Sequence, residues 1–382
     1  MVNKMHICFL SKTTIKHCVG GVPDLLDSLV KGLIKMGHEV SIITTPYNQI
    51  EREFSDGIKY YFVGDKPQKL SLKYFEGCVR LIKQLRPDII HSIDSAGYGV
   101  LKAGLNIPVI TTFHGTSYDE WRTRLNTFNL LEPLITAREM AIAAIYGYRY
   151  LAYERYVGTN STALIATSNE QVDVYNKIYN PQKVFTVFNG IDTDLFKPIK
   201  SSEPDKETLL VVARLEVEKG VQNVIRAMDY IKSVRPNLKL TIIGEGFYKP
   251  KLIKLTNRLG LQDKVFFKGY VDFKTLPQLY NQCSVFVNHT NRQNGYDLTN
   301  VQAMACEKPI ISTDIGSYPT LITDHKDGYL IRLKDYEHLG VMINSALIHK
   351  EIGVKAREKI LSHFTVKQMV QSHINLYNEV LK

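Results

Sequence analysis

Short apolar runs alternate with amphipathic stretches along most of the chain. Met5–Leu10, Val40–Thr44, Lys59–Phe62, Asp88–Ile93, Val109–Phe113, Ala163–Thr167 and Val184–Val187 each have strand character and are bounded by turn residues. Between them, Val22–Met36 places Leu25, Leu26, Leu29, Leu33 and Ile34 on one helical face, and Leu70–Leu85 repeats the pattern. Strand and helix in alternation predict a parallel sheet covered by helices on both faces. Near Asn189 the pattern resets: NGIDTDLFKPIKSSEPDKE is polar, contains two prolines and predicts a linker. Alternation then returns with Leu209–Val212, a helix over Val221–Ile231, Leu238–Ile243, Val265–Lys268, Val285–Val287 and Ile310–Ile311. The expectation is an α/β chain of two doubly wound, Rossmann-like domains, 1–190 and 191–364, facing each other across a cleft. The final amphipathic stretch, Thr365–Leu381, has no strand after it and is expected to cross back to the first domain as a helix within 365–382.

Length agrees with this division, since 382 residues exceed one ordinary core. An apolar fraction of 44% and a charged fraction of 23% mark a soluble globular protein. The net charge of +10 is spread without a block of five like charges. It suits anionic substrates or an acidic lipid surface and predicts no nucleic-acid partner. The cysteines, Cys8, Cys18, Cys78, Cys283 and Cys306, are scattered without metal or disulfide spacing. A reduced, cytoplasmic setting and no metal site are therefore expected. No apolar run reaches the roughly 18 residues that span a bilayer, and MVNKMHICFL reads as a strand rather than a signal peptide.

Candidate chemistry gathers at the carboxyl ends of the predicted strands, where open parallel sheets bind ligands. In Val285–Ser317 a strand runs into a polar loop that presents Asn294, Gly295, Tyr296 and Asp297, and a helix opens at Leu298. Unpaired amides and the positive dipole end make that helix start a place for an anion. Gly20 and Gly21 follow the first strand, where they either let a ligand approach the backbone or form a tight turn. His114, in TTFHGTS, either reaches a ligand or is satisfied by local backbone, and His91 is a weaker candidate. In VVARLEVEKG, Arg214 and Lys219 suit a diphosphate; with Glu216 and Glu218 beside them, a solvated salt-bridge cluster is the alternative. GEGFYKPKL, with Gly244, and KGYV, with Tyr270 and Val271, are turns able to receive a base. Between Tyr118 and Tyr156, the residues Trp121, Arg122, Arg124, Phe128, Arg138, Arg149, Arg155 and the run YGYRYLAYERY either rest on a membrane interface or acceptor phosphate, or pack tyrosines against their own domain.

Taken in order, these motifs, together with NGIDTDLFKP, AMACEKPII and the terminal FTVKQMVQSHINLYNEVLK, resemble the retaining glycosyltransferases of family 4, and the likeness spans nearly the whole chain. The resemblance implies a GT-B fold and transfer of a hexose-like sugar from a nucleotide diphosphate donor to an acceptor, with retention and without metal or other cofactor. It implies that the second domain holds the donor and the first most of the acceptor. By the same resemblance, Arg214 and Lys219 hold the diphosphate, His114 lies beside the transferred sugar and Gly21 near the phosphates. Tyr270 and Val271 line the base pocket, and the amides of Leu298 and Thr299 meet the distal phosphate. The family usually carries two glutamates eight positions apart; here those positions are Asn294 and Gln302. An amide can still hold hydroxyls but brings no charge, so weaker stabilisation of the sugar and of the ribose is implied. Asp297 either supplies a nearby carboxylate or caps the helix that follows. Two rival readings remain: a non-catalytic homologue that binds a nucleotide sugar or a partner, and a sugar-nucleotide epimerase. A cytoplasmic protein with peripheral contact at the inner membrane face is the expected setting.

Overall fold

The longest apolar runs become strands covered on both faces, which is why they read as continuous rather than alternating. The computed structural model describes residues 4–18, 20–126, 133–199, 207–292 and 297–382. Among these residues, one sheet contains eight strands in the order β3-β4-β2-β1-β5-β6-β7-β8. They are β1 (His6–Leu10), β2 (Glu39–Thr44), β3 (Arg52–Ser55), β4 (Ile58–Phe62), β5 (Ile89–Ile93), β6 (Val109–Thr112), β7 (Ala163–Ala166) and β8 (Val184–Thr186). All pair in parallel except the β3–β4 hairpin. The second sheet has the order β11-β10-β9-β12-β13-β14 and is parallel throughout. Its strands are β9 (Thr208–Val212), β10 (Lys239–Ile243), β11 (Val265–Gly269), β12 (Val285–Asn288), β13 (Ile310–Thr313) and β14 (Tyr329–Ile331). Two Rossmann-like parallel sheets are thus present, as the hydrophobic pattern predicts.

The chain divides into two units. One runs to Trp121, resumes over Ala141–Gly190 and ends with Val366–Lys382; the other takes Arg122–Met140 and Ile191–Thr365. In the first unit, helix Gly21–Lys35 buries Leu25, Leu26, Leu29, Val30 and Leu33. Helix Val366–Val380 lies against it, with Val370 so close to Gly32 that no side chain fits at that position. In the second unit, helix Val221–Ile231 buries Val224, Ile225 and Met228 in a core shared with Leu209, Leu240, Val285 and Ile311.

Strand order fixes where ligands can meet the backbone. In the first sheet the order reverses between β1 and β5, and in the second between β9 and β12. Loops leaving these neighbours at their carboxyl ends diverge and leave a crevice. Two strands were not expected from sequence. β3 is an edge hairpin strand with alternately exposed residues, and the apolar run of β14 is only three residues long. The linker expected after Asn189 is also corrected in its first part. Phe196 is fully buried against Phe273 and Tyr280, and Ile191 bridges to Thr365, because an aromatic ring in a polar segment still seeks a core.

Candidate functional site

In the second unit, β9 and β12 deliver their loops to the reversal point. The loop after β9 makes a short turn over Val217–Lys219 and enters helix Val221–Ile231 through Gly220 at φ 64°, where a side chain would strike the carbonyl of His289. Glycine is required there by both backbone angle and space. Gly244, at φ 127° after β10, is held in the same way against the carbonyl of Ala213. The loop after β9 is thereby packed backbone to backbone against the loops after β12 and β10.

Lys219 comes out of this turn 6% exposed, with Nζ 2.6 Å from an Asp297 carboxylate oxygen. Asp297 also accepts hydrogen bonds from Asn288 Nδ2 and Tyr318 OH, both at 3.1 Å, and Arg292 lies at 3.5 Å. Burial would raise the Asp297 carboxyl, but the charges of Lys219 and Arg292 and the donated hydrogen bonds outweigh it and hold the carboxyl well below the usual range. Burial pulls the ammonium of Lys219 down, and Asp297 opposes that shift.

The cap reading of Asp297 holds for its position and not for its side chain. It stands at the N-cap of helix Leu298–Ala305, yet its side chain caps nothing; the carboxylate serves the buried lysine instead. Lys219 thus reaches the site already paired with a carboxylate. Arg214 is 63% exposed, with a guanidinium nitrogen 3.6 Å from Glu218. Leu298 and Thr299 open the helix beside the ion pair, where their first-turn amides lack intrahelical partners. Gln302, on the same helix, is buried, and its carbonyl oxygen accepts from Tyr280 OH at 2.8 Å. Tyr270 is 76% exposed just past β11. Asn294, Gly295 and Tyr296 lie outside the described residues, as does Phe128.

In the first unit, Gly20 precedes helix Gly21–Lys35 with open space where a side chain would stand. Its backbone is extended, so freedom of approach rather than conformation distinguishes it. His114 follows β6. Its amide donates to Asp94 Oδ1 at 3.1 Å, and its Nδ1 is buried without a hydrogen-bond partner among the described residues. His114 joins His91 and His373 around a small, mainly apolar cavity that Leu25, Leu29 and Met369 also line. His91 bridges Tyr377 OH and Thr112 Oγ1, both at 2.7 Å. Burial lowers all three histidines, His114 and His373 to about 4.

The arginines grouped with the aromatic run divide. Arg124 and Arg138 are ion-paired within the second unit to Glu139, Glu216 and Glu218, which corrects their reading as membrane or acceptor contacts. The glutamates supply the buried anions that a buried guanidinium requires. Tyr150, Tyr153 and Tyr156 pack on Tyr179 and Tyr98, whereas Ile145, Tyr148 and Leu151 stay exposed. Sequence reading missed Asn288, Arg292 and Tyr318, whose polarity marks nothing until the loops fold together.

Residues 19–195 match the family model for Glycosyltransferase Family 4, and residues 192–361 match that for Glycosyl transferases group 1. An uncharacterised glycosyltransferase of Methanocaldococcus jannaschii is 25% identical, the match covering 94% of each chain. Sucrose-phosphate synthase from Thermosynechococcus elongatus has a similar structure, with a TM-score of 0.80, 18% identity and 99% of each chain covered. Anabaena HepE in complex with UDP-glucose aligns with a TM-score of 0.72 and 17% identity, over 98% of this chain and 99% of that one.

Asp297→Asn should destabilise the second unit by about 3 to 5 kcal/mol in denaturant unfolding, because Lys219 is left buried without its anion. Adding Lys219→Met should recover part of the loss; an Asn variant as stable as the parent overturns this account of the pair. Acidification tests the histidines. Their folded pKa values lie below the unfolded value of about 6.5, so the unfolded state binds protons first and stability falls as pH drops from about 6.5 to about 4. His373→Gln should flatten that fall, as read from the unfolding midpoint of the first unit.

Proposed function

We propose that this chain, which carries two glycosyltransferase domains in a GT-B fold, transfers a hexose-like sugar from a nucleotide diphosphate sugar to an acceptor, with retention at the anomeric carbon and without a metal. The observation that carries the reading is the meeting of Arg214, Lys219 and the start of helix Leu298–Ala305 at the strand-order reversal of the second sheet. A diphosphate needs cations and aimed amides as its charge grows on breaking the bond to the sugar. Arg214 offers an accessible guanidinium, the helix start offers amides, and Lys219 is already oriented by Asp297. Approach of the anion draws Lys219 from a one-to-one pair into a shared arrangement. In the first unit, His114 offers a neutral imidazole to a sugar hydroxyl. Tyr270 supplies an accessible ring for the base, and HepE makes a UDP-sugar the first donor to try.

Peripheral contact with an acidic bilayer belongs to the same proposal. Ile145, Tyr148 and Leu151 are 58%, 64% and 68% exposed at spacings of three residues, beside Arg149 and Arg155. Apolar side chains next to cations suit the headgroup boundary.

Purified protein with a panel of UDP-, GDP- and ADP-sugars should release nucleoside diphosphate, and Arg214→Ala should lower kcat/KM about a hundredfold, the scale of one lost transition-state donor. The anomeric coupling in the product's proton spectrum should match that of the donor; inversion overturns the stereochemical part. Binding without turnover would favour a binding-only homologue. Conversion of the donor sugar to its epimer would favour an epimerase. For the membrane, co-sedimentation with phosphatidylglycerol vesicles should fall several-fold in Ile145→Glu/Leu151→Glu. Equal sedimentation of the two proteins removes this surface from the proposal.

A further inference from the structure

We propose that Arg124 is a positioning residue of the donor site, one that keeps Glu218 from competing with a diphosphate for Arg214. The inference rests on the assignment of Arg214 and Lys219 to that diphosphate. In sequence Arg124 lies between β6 and β7 of the first sheet, yet it belongs to the second unit.

Its contacts converge on the loop that bears both cations. Arg124 grips Glu218 with two guanidinium nitrogens, each 3.1 Å from a different carboxylate oxygen, and also donates to Glu139 at 2.8 Å. The side chains of Glu139 and Glu218 are fully buried, and that of Arg124 is 5% exposed. Arg138 continues the network, 2.7 Å from Glu139 and 2.9 Å from Glu216, with its guanidinium over the ring of Phe247. Glu139, Glu216 and Glu218 bring three negative charges to this cluster, and Arg124, Arg138 and Arg214 bring three positive ones.

Arg214 is the member that can leave. It is largely exposed and its contact with Glu218 is long, whereas Arg124 is buried and bidentate. A diphosphate that takes Arg214 leaves Glu218 still matched by the fork of Arg124. Without Arg124, a buried carboxylate next to the site would draw Arg214 inward and repel the phosphates. Glu218 also sets the neighbouring backbone: its carbonyl accepts from Asn291 N at 2.7 Å and Thr290 Oγ1 at 3.1 Å, and the next residue is Lys219. The guanidinium of Arg124 thus acts on ligand binding through Glu218.

Titration calorimetry with UDP, GDP and ADP first identifies the diphosphate bound by the unaltered protein. Arg124→Met should weaken that ligand about tenfold or more, a change of about 1.4 kcal/mol, while affinity for its parent nucleoside stays level in NMR titration. Removing the charge that Arg124 offsets, in Arg124→Met/Glu218→Gln, should restore diphosphate binding to within about threefold of the parent. Loss of nucleoside and diphosphate binding together, or no rescue by the second substitution, means a merely structural role and overturns the inference. If Arg124→Met does not fold, Arg124→Lys carries the test: it keeps the charge without the fork and should weaken the diphosphate about three- to fivefold. Unchanged affinity in the folded variant overturns the inference. Weakening by Arg214→Ala but not by the Arg124 variants overturns it alone, whereas no diphosphate binding by the parent overturns the donor reading and this inference with it.

Discussion

A lysine ammonium cannot stay charged out of water without an anion against it. Lys219 is held in that position by the turn Val217–Lys219 and by Gly220, and Asp297 is the anion. This pairing fixes the second unit's candidate site. It joins the loop after β9 to the start of helix Leu298–Ala305 and recruits Asn288 and Tyr318 to the remaining carboxylate lone pairs. The fixed helix start then aims the amides of Leu298 and Thr299. Asp297 already meets two cations, Lys219 and Arg292, and the exposed Arg214 adds a third positive group on the loop after β9.

The same accounting extends outward to Glu218. Two carboxylates stand beside the proposed phosphate position, Asp297 on Lys219 and Glu218 near Arg214, and each would repel the ligand if left unmatched. Each is instead tied to a buried cation, Lys219 for one and Arg124 for the other. The difference lies in where the cations come from. Lys219 is a local residue of the loop, while Arg124 arrives on a segment drawn from the middle of the chain's first half.

Much of the fold was legible because burial on two faces writes itself as uninterrupted apolar runs, as in β1, β5 and β13. β3 and β14 escaped for the converse reason: one alternates at an edge and the other is too short to show a period. At the site, Arg214, Lys219 and the helix start were legible as strand-end chemistry. The partnership of Lys219 with Asp297 was not, since 78 residues separate them and an aspartate before a helix reads first as a cap. Arg124 and Glu218, 94 residues apart, were hidden further by the aromatic residues around Arg124, which suggested an interface instead of an ion pair.

Gln302 shows how charge is distributed within helix Leu298–Ala305. Its carbonyl oxygen meets Tyr280 OH inside the core, so the residue keeps one accepting lone pair and its amide donors without placing a second anion near Asp297. A carboxylate at this position would accept the same tyrosine hydrogen bond but would stand buried on the same short helix, with Lys219 already committed to Asp297. Two anions would then stand on one short helix beside Lys219 and Arg292. The neutral amide at 302 therefore adds no further negative charge to a helix whose start already carries Asp297, the anion that holds Lys219 in place.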